Sequence, residues 1–314
     1  MMISVVVENP GLFSTIQDFG RPGHGPLGIS ASGAADPVAL HIGNLLVGNP
    51  RGSPSVEMTL VGGHFAFDHD ATIALTGSDF CASIEGRALA PWQSHRIRAG
   101  ETIVVRATRD GARSYLCIAG KIDVPLFLGS ASTHILSGLG GLQGRTLRKG
   151  DELRVAGPFP AYTQRAVAAH VVENLRSRHV LRVTDGPQSD LFSDRMKPSF
   201  YASAFHVSEE SNRLGLRLEG PRIQSIASDE MITEGVTLGA IQIPQSGQPI
   251  ILFVEQQTTG GYPKIANVIS ADLFRIGQLR ARDDVRFERV SLADARAAWL
   301  ELQQLLASGD RLFA

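Results

Sequence analysis

Short apolar runs rich in valine and isoleucine, each closed off by turn residues, dominate this chain. Ala71 to Thr76, Thr102 to Ala107, Ser114 to Ala119, Val180 to Thr184, Pro249 to Val254 and Val285 to Val290 are all of this kind. Runs of roughly four to eight residues bounded by Gly, Pro, Asp or Ser have the length of strands. Thirty-three glycines and 16 prolines supply turns at close intervals, which favours a β-sandwich or β-barrel over alternating β/α units. A chain of 314 residues has room for two domains of ordinary size. Gly157-Pro-Phe-Pro160 breaks regular structure, and Asn174 to His179 is polar and arginine-rich. The expectation is a mainly β chain in two halves, 1–165 and 175–314, with exchange of strands between them left open.

One local pattern recurs. Arg98-Ala-Gly-Glu-Thr-Ile-Val-Val105 is echoed by Arg148-Lys-Gly-Asp-Glu-Leu-Arg-Val155, and more weakly by Ala281-Arg-Asp-Asp-Val-Arg-Phe287, which lacks the glycine. A turn that delivers an acidic residue just before an alternating strand accounts for it structurally, with no chemistry assigned. Two helices are expected among the strands. Asp36 caps the first, Pro37 opens it, and Gly48-Asn49-Pro50 stops it. Ser291 and Asp294 form a capping box for a C-terminal helix whose Leu292, Ala295, Trp299, Leu302 and Leu306 fall on one face. That stripe is expected to pack on its own barrel, with an interface to another chain as the alternative.

The charge balance excludes two classes of partner. A net charge of −1 with 19% charged residues gives no electrostatic footprint for nucleic acid or an anionic membrane. No apolar run approaches the ~18 residues of a membrane span. Met1 to Val7 reads as a first strand rather than a signal peptide, so a soluble, cytoplasmic protein is expected. Cys81 and Cys117 lack CxxC spacing, and Cys117 sits in an apolar run as a buried, inert thiol would.

Several familiar catalytic devices are missing from the sequence. Gly120-Lys121 has no upstream glycine at P-loop spacing. In Gly138-Leu-Gly-Gly-Leu-Gln-Gly144, Gln143 stands where a dinucleotide fingerprint needs its third glycine. His64 and His69 have no partner at metal-ligand spacing, so no metal is expected. Gly28-Ile-Ser-Ala-Ser32 ends in serine and is no nucleophile elbow.

The segment that does suggest a site is Gly239 to Asp272. A strand, Pro249 to Val254, runs into a polar block that includes Glu255, Gln257 and Thr258, followed by Gly260, Gly261, Tyr262, Pro263 and Lys264. Adjacent glycines permit positive φ or close approach of another group, and the flanking side chains donate and accept hydrogen bonds. A glycine hairpin with a solvated polar rim is the competing account. Lys264 could hold a negative oxygen, and the Tyr262 hydroxyl could donate to a developing oxyanion. Strand alternation alone would equally leave Lys264 solvated. Gln242, Gln256 and Gln257 offer amides to a small polar amide or cyclic substrate. Arg213 suits an anion clamp or a surface ion pair with Glu209 or Glu210. Gly28 to Asp36, including Ser32 and Gly33, could present N–H groups to an anion or simply form the helix cap.

Gln257-Thr-Thr-Gly-Gly-Tyr-Pro-Lys264, with Gly239-Ala-Ile-Gln-Ile-Pro244 before it, resembles the carboxyltransferase family also called KipA or allophanate hydrolase subunit 2. Gly11 to Arg21, Gly28 to Asp36, Gly129-Ser-Ala-Ser-Thr133 and Ser211-Asn-Arg-Leu-Gly-Leu-Arg-Leu218 are similar to further motifs of that family, in order along nearly the whole chain. The resemblance implies a pair of cyclophilin-like β-barrel domains. It also implies a role as the C component of an ATP-dependent 5-oxoprolinase, whose B component is KipI-like and whose A component is LamB/YcsF-like. Lys264 and Tyr262 would then be catalytic. Ser32, Gly33, Arg213, Gln242, Glu255, Gln257, Thr258, Gly260 and Gly261 would bind substrate. ATP would sit in a cradle shared between chains. A biotin-dependent carboxyltransferase of the urea carboxylase kind, or a non-enzymatic regulator that binds a KipI-like protein, fits the same motifs. Three positions depart from the family pattern: Glu255 for aspartate, Ala131 for arginine, and Ala119 for glycine.

Overall fold

The computed structural model describes residues 2–176, 179–226 and 231–314. The fold is mainly β and comprises two compact units, neither continuous in sequence. Met1–Arg21, Ser32–Arg176 and Ser308–Ala314 make the first, and Pro22–Ala31 with Ser177–Ala307 the second.

The first unit holds a seven-stranded and a five-stranded sheet. Met2–Asn9 pairs antiparallel with both Glu152–Ala156 and His64–Phe67. Its side chains alternate as the pleat dictates: Ile3, Val5 and Val7 are buried, while Met2 and Val6 are exposed. Arg113–Ile118, flanked by Ser55–Thr59 and Ala71–Gly77, lies inside the second sheet. Ile16, Val56, Ile73 and Leu116 from that sheet join Ile3, Val5, Phe65 and Val155 in one apolar core. Cys117 is also buried, its thiol pushed up to about 12 by desolvation.

The helix Pro37–Leu46 begins as its residues require. Asp36 accepts the Ala39 N–H at 2.8 Å and Pro37 takes the first helical position. The turn before it is fully engaged. The N–H groups of Ala34, Ala35 and Asp36 donate to the Asp18 carbonyl, the Glu57 carboxylate and the Tyr115 hydroxyl, at 2.8, 2.8 and 2.7 Å.

The second unit is built on a closed seven-stranded barrel. In order around it run Val180–Asp185, Lys264–Val268, Ala240–Gln242, Ile250–Leu252, Gly215–Glu219, Ala204–Val207 and Asp284–Arg289. Closure comes from a parallel pairing of Val180–Asp185 with Asp284–Arg289; the other pairings are antiparallel. Closing the sheet leaves no barrel edge to protect. Phe200, from the helix Met196–Ala202, stacks on Phe287 at 4.7 Å and fills space beside Phe205.

The recurring turn takes one geometry in all three places. The acidic side chains of Glu101, Asp151 and Asp283 accept the N–H of the arginine three residues earlier, at 2.8, 2.7 and 3.0 Å. The residue before each acid is left-handed: Gly100 at φ 82°, Gly150 at 89° and, without glycine, Arg282 at 72°. At the start of the C-terminal helix Leu292–Ala307 the Asp294 N–H donates to Ser291 Oγ, the first bond of the expected capping box, while the Asp294 carboxylate accepts the Ser291 hydroxyl; the helix's apolar stripe does not pack as expected. Leu306 is buried, whereas Leu292 and Trp299 stand 78% and 40% exposed. Only the C-terminal end of the stripe is sealed, because 3.6-residue spacing fixes a face and not what covers it.

Candidate functional site

The polar residues of the second unit converge around Gly260. Glu234–Gly235 and Thr259–Gly260 form a separate two-stranded ribbon, with Glu234 directly across from Gly260. Further bonds fasten this ribbon: Val236 donates its N–H to the Thr258 carbonyl at 3.1 Å and accepts from Gln256 Nε2 at 3.3 Å. On the barrel beneath, Gln242 and Lys264 are cross-strand neighbours at a register irregularity.

Lys264 is not the solvated lysine that strand alternation allowed. Its side chain is 3% exposed and its Nζ forms an ion pair with Glu234 Oε1, whose side chain is 44% exposed. Gln188 completes the arrangement. Its Nε2 donates to the same Glu234 oxygen at 2.7 Å and its Oε1 accepts the Lys264 N–H at 3.3 Å. The hydrogen bond from Lys264, and then that from Gln188, holds the Glu234 carboxyl below its ordinary pKa.

Gln242 is 1% exposed, and its Nε2 has no hydrogen-bond partner among the described residues. A buried amide donor without a partner costs free energy, which makes this group a candidate for a ligand contact. Gln242 lines a cavity of about 270 Å³ together with Asn212, Arg217, Ser246, Gln257 and Tyr262. Tyr262 is 45% exposed at this cavity.

Gly260 and Gly261 serve this geometry through space. Neither is among the positive-φ glycines of the described chain, contrary to one of the two roles their sequence suggested. A Cβ on Gly260 would lie 2.6 Å from Gln242 Nε2 and 3.0 Å from Gln257 Nε2. A Cβ on Gly261 would meet the Met231 carbonyl at 3.2 Å. Gly260 is the tighter of the two.

Arg213 and Glu255 also meet, away from the cavity lining. Arg213 Nε donates to Glu255 Oε1 at 2.6 Å, and the Glu255 N–H donates to the Arg213 carbonyl at 2.8 Å. Both side chains are at least nine-tenths buried, so the expected surface pairing with Glu209 or Glu210 is replaced by an internal one. Glu209 instead pairs with Arg282. Thr258 contributes its carbonyl to the ribbon.

Ser32 and Gly33 belong to the first unit. Ser32 Oγ donates to the Thr133 carbonyl at 3.1 Å, and the N–H groups that follow are taken up as described above. These bonds fit the cap-turn account of the segment. Thr133 ends the Gly129–Thr133 motif, whose role is also internal. Ser130 Oγ, Ser132 Oγ and the Ala131 N–H all donate to the Asp18 carboxylate at 2.6 Å. Ala131, where the family pattern has arginine, is fully buried.

Two members of the cluster, Glu234 and Gln188, carry no signal in the sequence beyond a nearby turn residue, Gly235 for the first and Pro187 for the second. Among the described residues, no three His, Cys, Asp or Glu side chains are grouped to hold a metal ion. No helix among them is long and apolar enough to cross a membrane.

A family profile described as carboxyltransferase domain, subdomain A and B, matches residues 27–289. The chain is 37% identical over 296 residues to the C subunit of 5-oxoprolinase from Escherichia coli (strain K12), covering 94% of each. It is 31% identical to urea amidolyase of Lachancea kluyveri over 92% of its own length, but spans only 17% of that protein. Among solved structures, the Kluyveromyces lactis urea carboxylase superposes with a TM-score of 0.92 at 29% identity. That match covers 98% of this chain and 30% of the other.

Proposed function

The chain belongs to the carboxyltransferase domain family, and from that membership we propose that it is the C component of a 5-oxoprolinase complex. In this reading it works with a KipI-like and a LamB/YcsF-like partner. Together they couple ATP hydrolysis to opening of the 5-oxoproline lactam, with L-glutamate as product. The observation that carries the reading is coextensiveness: the match to the 5-oxoprolinase chain covers 94% of both proteins.

The site chemistry is compatible. Opening a lactam requires loss of amide resonance, and phosphorylation of the amide oxygen makes the carbonyl carbon a better electrophile. What the second unit offers is binding and polarisation. Gln242 Nε2 would donate to the lactam oxygen, Lys264 would hold negative charge, and the Tyr262 hydroxyl would donate to an oxyanion as it develops. Donors fixed in advance against such charge lower the barrier without reorganising during the reaction.

The test is reconstitution. The purified chain with both partners should release glutamate from 5-oxoproline in an ATP-dependent manner, and the chain alone should release none. Turnover by the single chain, or an assembled complex inert toward 5-oxoproline, would sink this reading. The likeness of this chain to a domain of urea carboxylase favours a second one, carboxyl transfer from biotin. Carboxylation of urea in the presence of a biotin carboxylase and its carrier would establish that instead.

A further inference from the structure

The Lys264–Glu234 pair is asymmetric in a way that has chemical consequences. The Lys264 side chain is 3% exposed and that of Glu234 44%. A buried charge cannot be left without a counter-charge except at high cost, whereas an exposed carboxylate loses little on returning to water. Lys264 must therefore keep an anionic partner, but that partner need not be Glu234. The residue that holds Glu234 in place is itself well suited to any carboxylate, since Gln188 Nε2 donates to the same oxygen as Lys264. Glu234 also belongs to the two-residue ribbon strand and not to the closed barrel.

We propose that Lys264 and Gln188 form a carboxylate-binding site, that Glu234 fills it in the unliganded chain, and that the carboxylate of a small acidic ligand exchanges with Glu234 on binding. The neighbouring Gln242, a cross-strand partner of Lys264 with an unpartnered Nε2, supplies the second contact. The ligand class is thus a small molecule that carries a carboxylate and a carbonyl acceptor. Exchange conserves charge: one carboxylate leaves the ammonium as another arrives. A tethered carboxylate competes at an effective concentration on the order of millimolar, so Glu234 also raises the ligand concentration needed for occupancy. The inference rests on Lys264 being a ligand-binding group of the proposed site and not on the identity of the reaction.

The probe is acetate, compared with chloride at equal ionic strength, with thermal melting of the full chain as readout. Glu234→Ala should melt lower than wild type in chloride and recover in acetate with saturation, because a ligand bound only by the folded state stabilises it. Glu234→Ala combined with Lys264→Met should show no acetate-specific recovery. Equal melting of Glu234→Ala in the two salts would overturn the proposal. If that variant fails to fold, Glu234→Gln replaces it, with acetate affinity measured by calorimetry. Binding about tenfold tighter than wild type is expected once the competing carboxylate is neutral, and equal affinity would overturn the proposal. Because neither readout requires turnover, a failure here is distinct from a failure of the 5-oxoprolinase reading.

Discussion

Two ion pairs sit at either end of the polar loop that runs from Glu255 to Lys264, and they differ in how far water reaches them. In Arg213–Glu255 both partners are buried, the carboxylate 3% exposed, and backbone bonding between the same two residues reinforces the contact. In Lys264–Glu234 the cation is equally buried, but its carboxylate is half open to solvent. Arg213 cannot leave without stranding the Glu255 carboxylate in a low-dielectric interior. In the second pair only the lysine would be stranded in that way. The sealed pair fixes where the loop leaves the barrel strand, and the half-open pair can change partners. A third pair, Arg282–Glu209, completes the series with side chains 84% and 68% exposed.

Breaking the sealed pair should have the largest effect. Glu255→Ala breaks a buried pair by removing one partner and should cost about 3–5 kcal/mol of stability. Urea denaturation of the isolated chain measures it. A loss under about 1 kcal/mol, the range of surface pairs, would mean that the pair is not sealed in solution.

Lys264→Ala tests the other side of the contrast. Turnover of the assembled complex should fall by about 100-fold, which is the worth of one well-placed donor in a desolvated site. Stability should change less than in Glu255→Ala, because the carboxylate left behind is already half in water. Wild-type kcat and KM with an unchanged melting curve would remove Lys264 from the site.

Much of this architecture was legible because it is local. The strand runs, the Asp36 cap, the Ser291–Asp294 contact and the recurring acidic turn each depend on residues within a few positions of one another, and all are present. The chemistry of the site was legible only in half. Lys264, Gln242 and Gly260 stand out through residue type and spacing, but the partners of Lys264 come from 30 and 76 residues away, in Glu234 and Gln188. Nothing in the short stretches around those two distinguishes them from ordinary surface loops. The same limit applies beside Ser32 and Gly33, where the neighbouring N–H groups are taken up by the distant Asp18, Glu57 and Tyr115. Sequence also cannot tell a glycine needed for its backbone from one needed for its missing side chain. Gly150 has φ 89° and open space around its would-be Cβ, whereas Gly260 has an ordinary backbone and no room.

That distinction yields a smaller, sharper effect. Gly260→Ala adds a Cβ that requires displacement of the Gln242 amide and a smaller adjustment of Gln257. Gln242 Nε2 is the end of a flexible side chain, so the fold should tolerate the change while the amide loses its aim into the cavity. Turnover per folded molecule should fall about tenfold, in line with the cost of modest misplacement in an active site. Gly261→Ala, with its nearest contact at 3.2 Å, should cost less. Equal specific activity in the two variants and wild type would reassign the glycine pair to a plain turn.

The smallest effect belongs to the exposed pair, and its sign is reversed. Arg282 occupies the left-handed position that Gly100 and Gly150 fill in the other two copies of the turn. A side chain there costs about 1–2 kcal/mol against the right-handed backbone, and the exposed pair with Glu209 returns about 0–1 kcal/mol at most. Glycine relieves the first at some entropic cost in the unfolded chain. Arg282→Gly should therefore stabilise the chain by about 0.5 kcal/mol despite deleting an ion pair. Glu209→Gln, which removes the same pair and leaves the turn strained, should be neutral within about 0.5 kcal/mol. The two variants together separate charge from backbone. If both destabilise by similar amounts, water does not weaken the Arg282–Glu209 pair as its exposure implies, and exposure would no longer rank the three pairs.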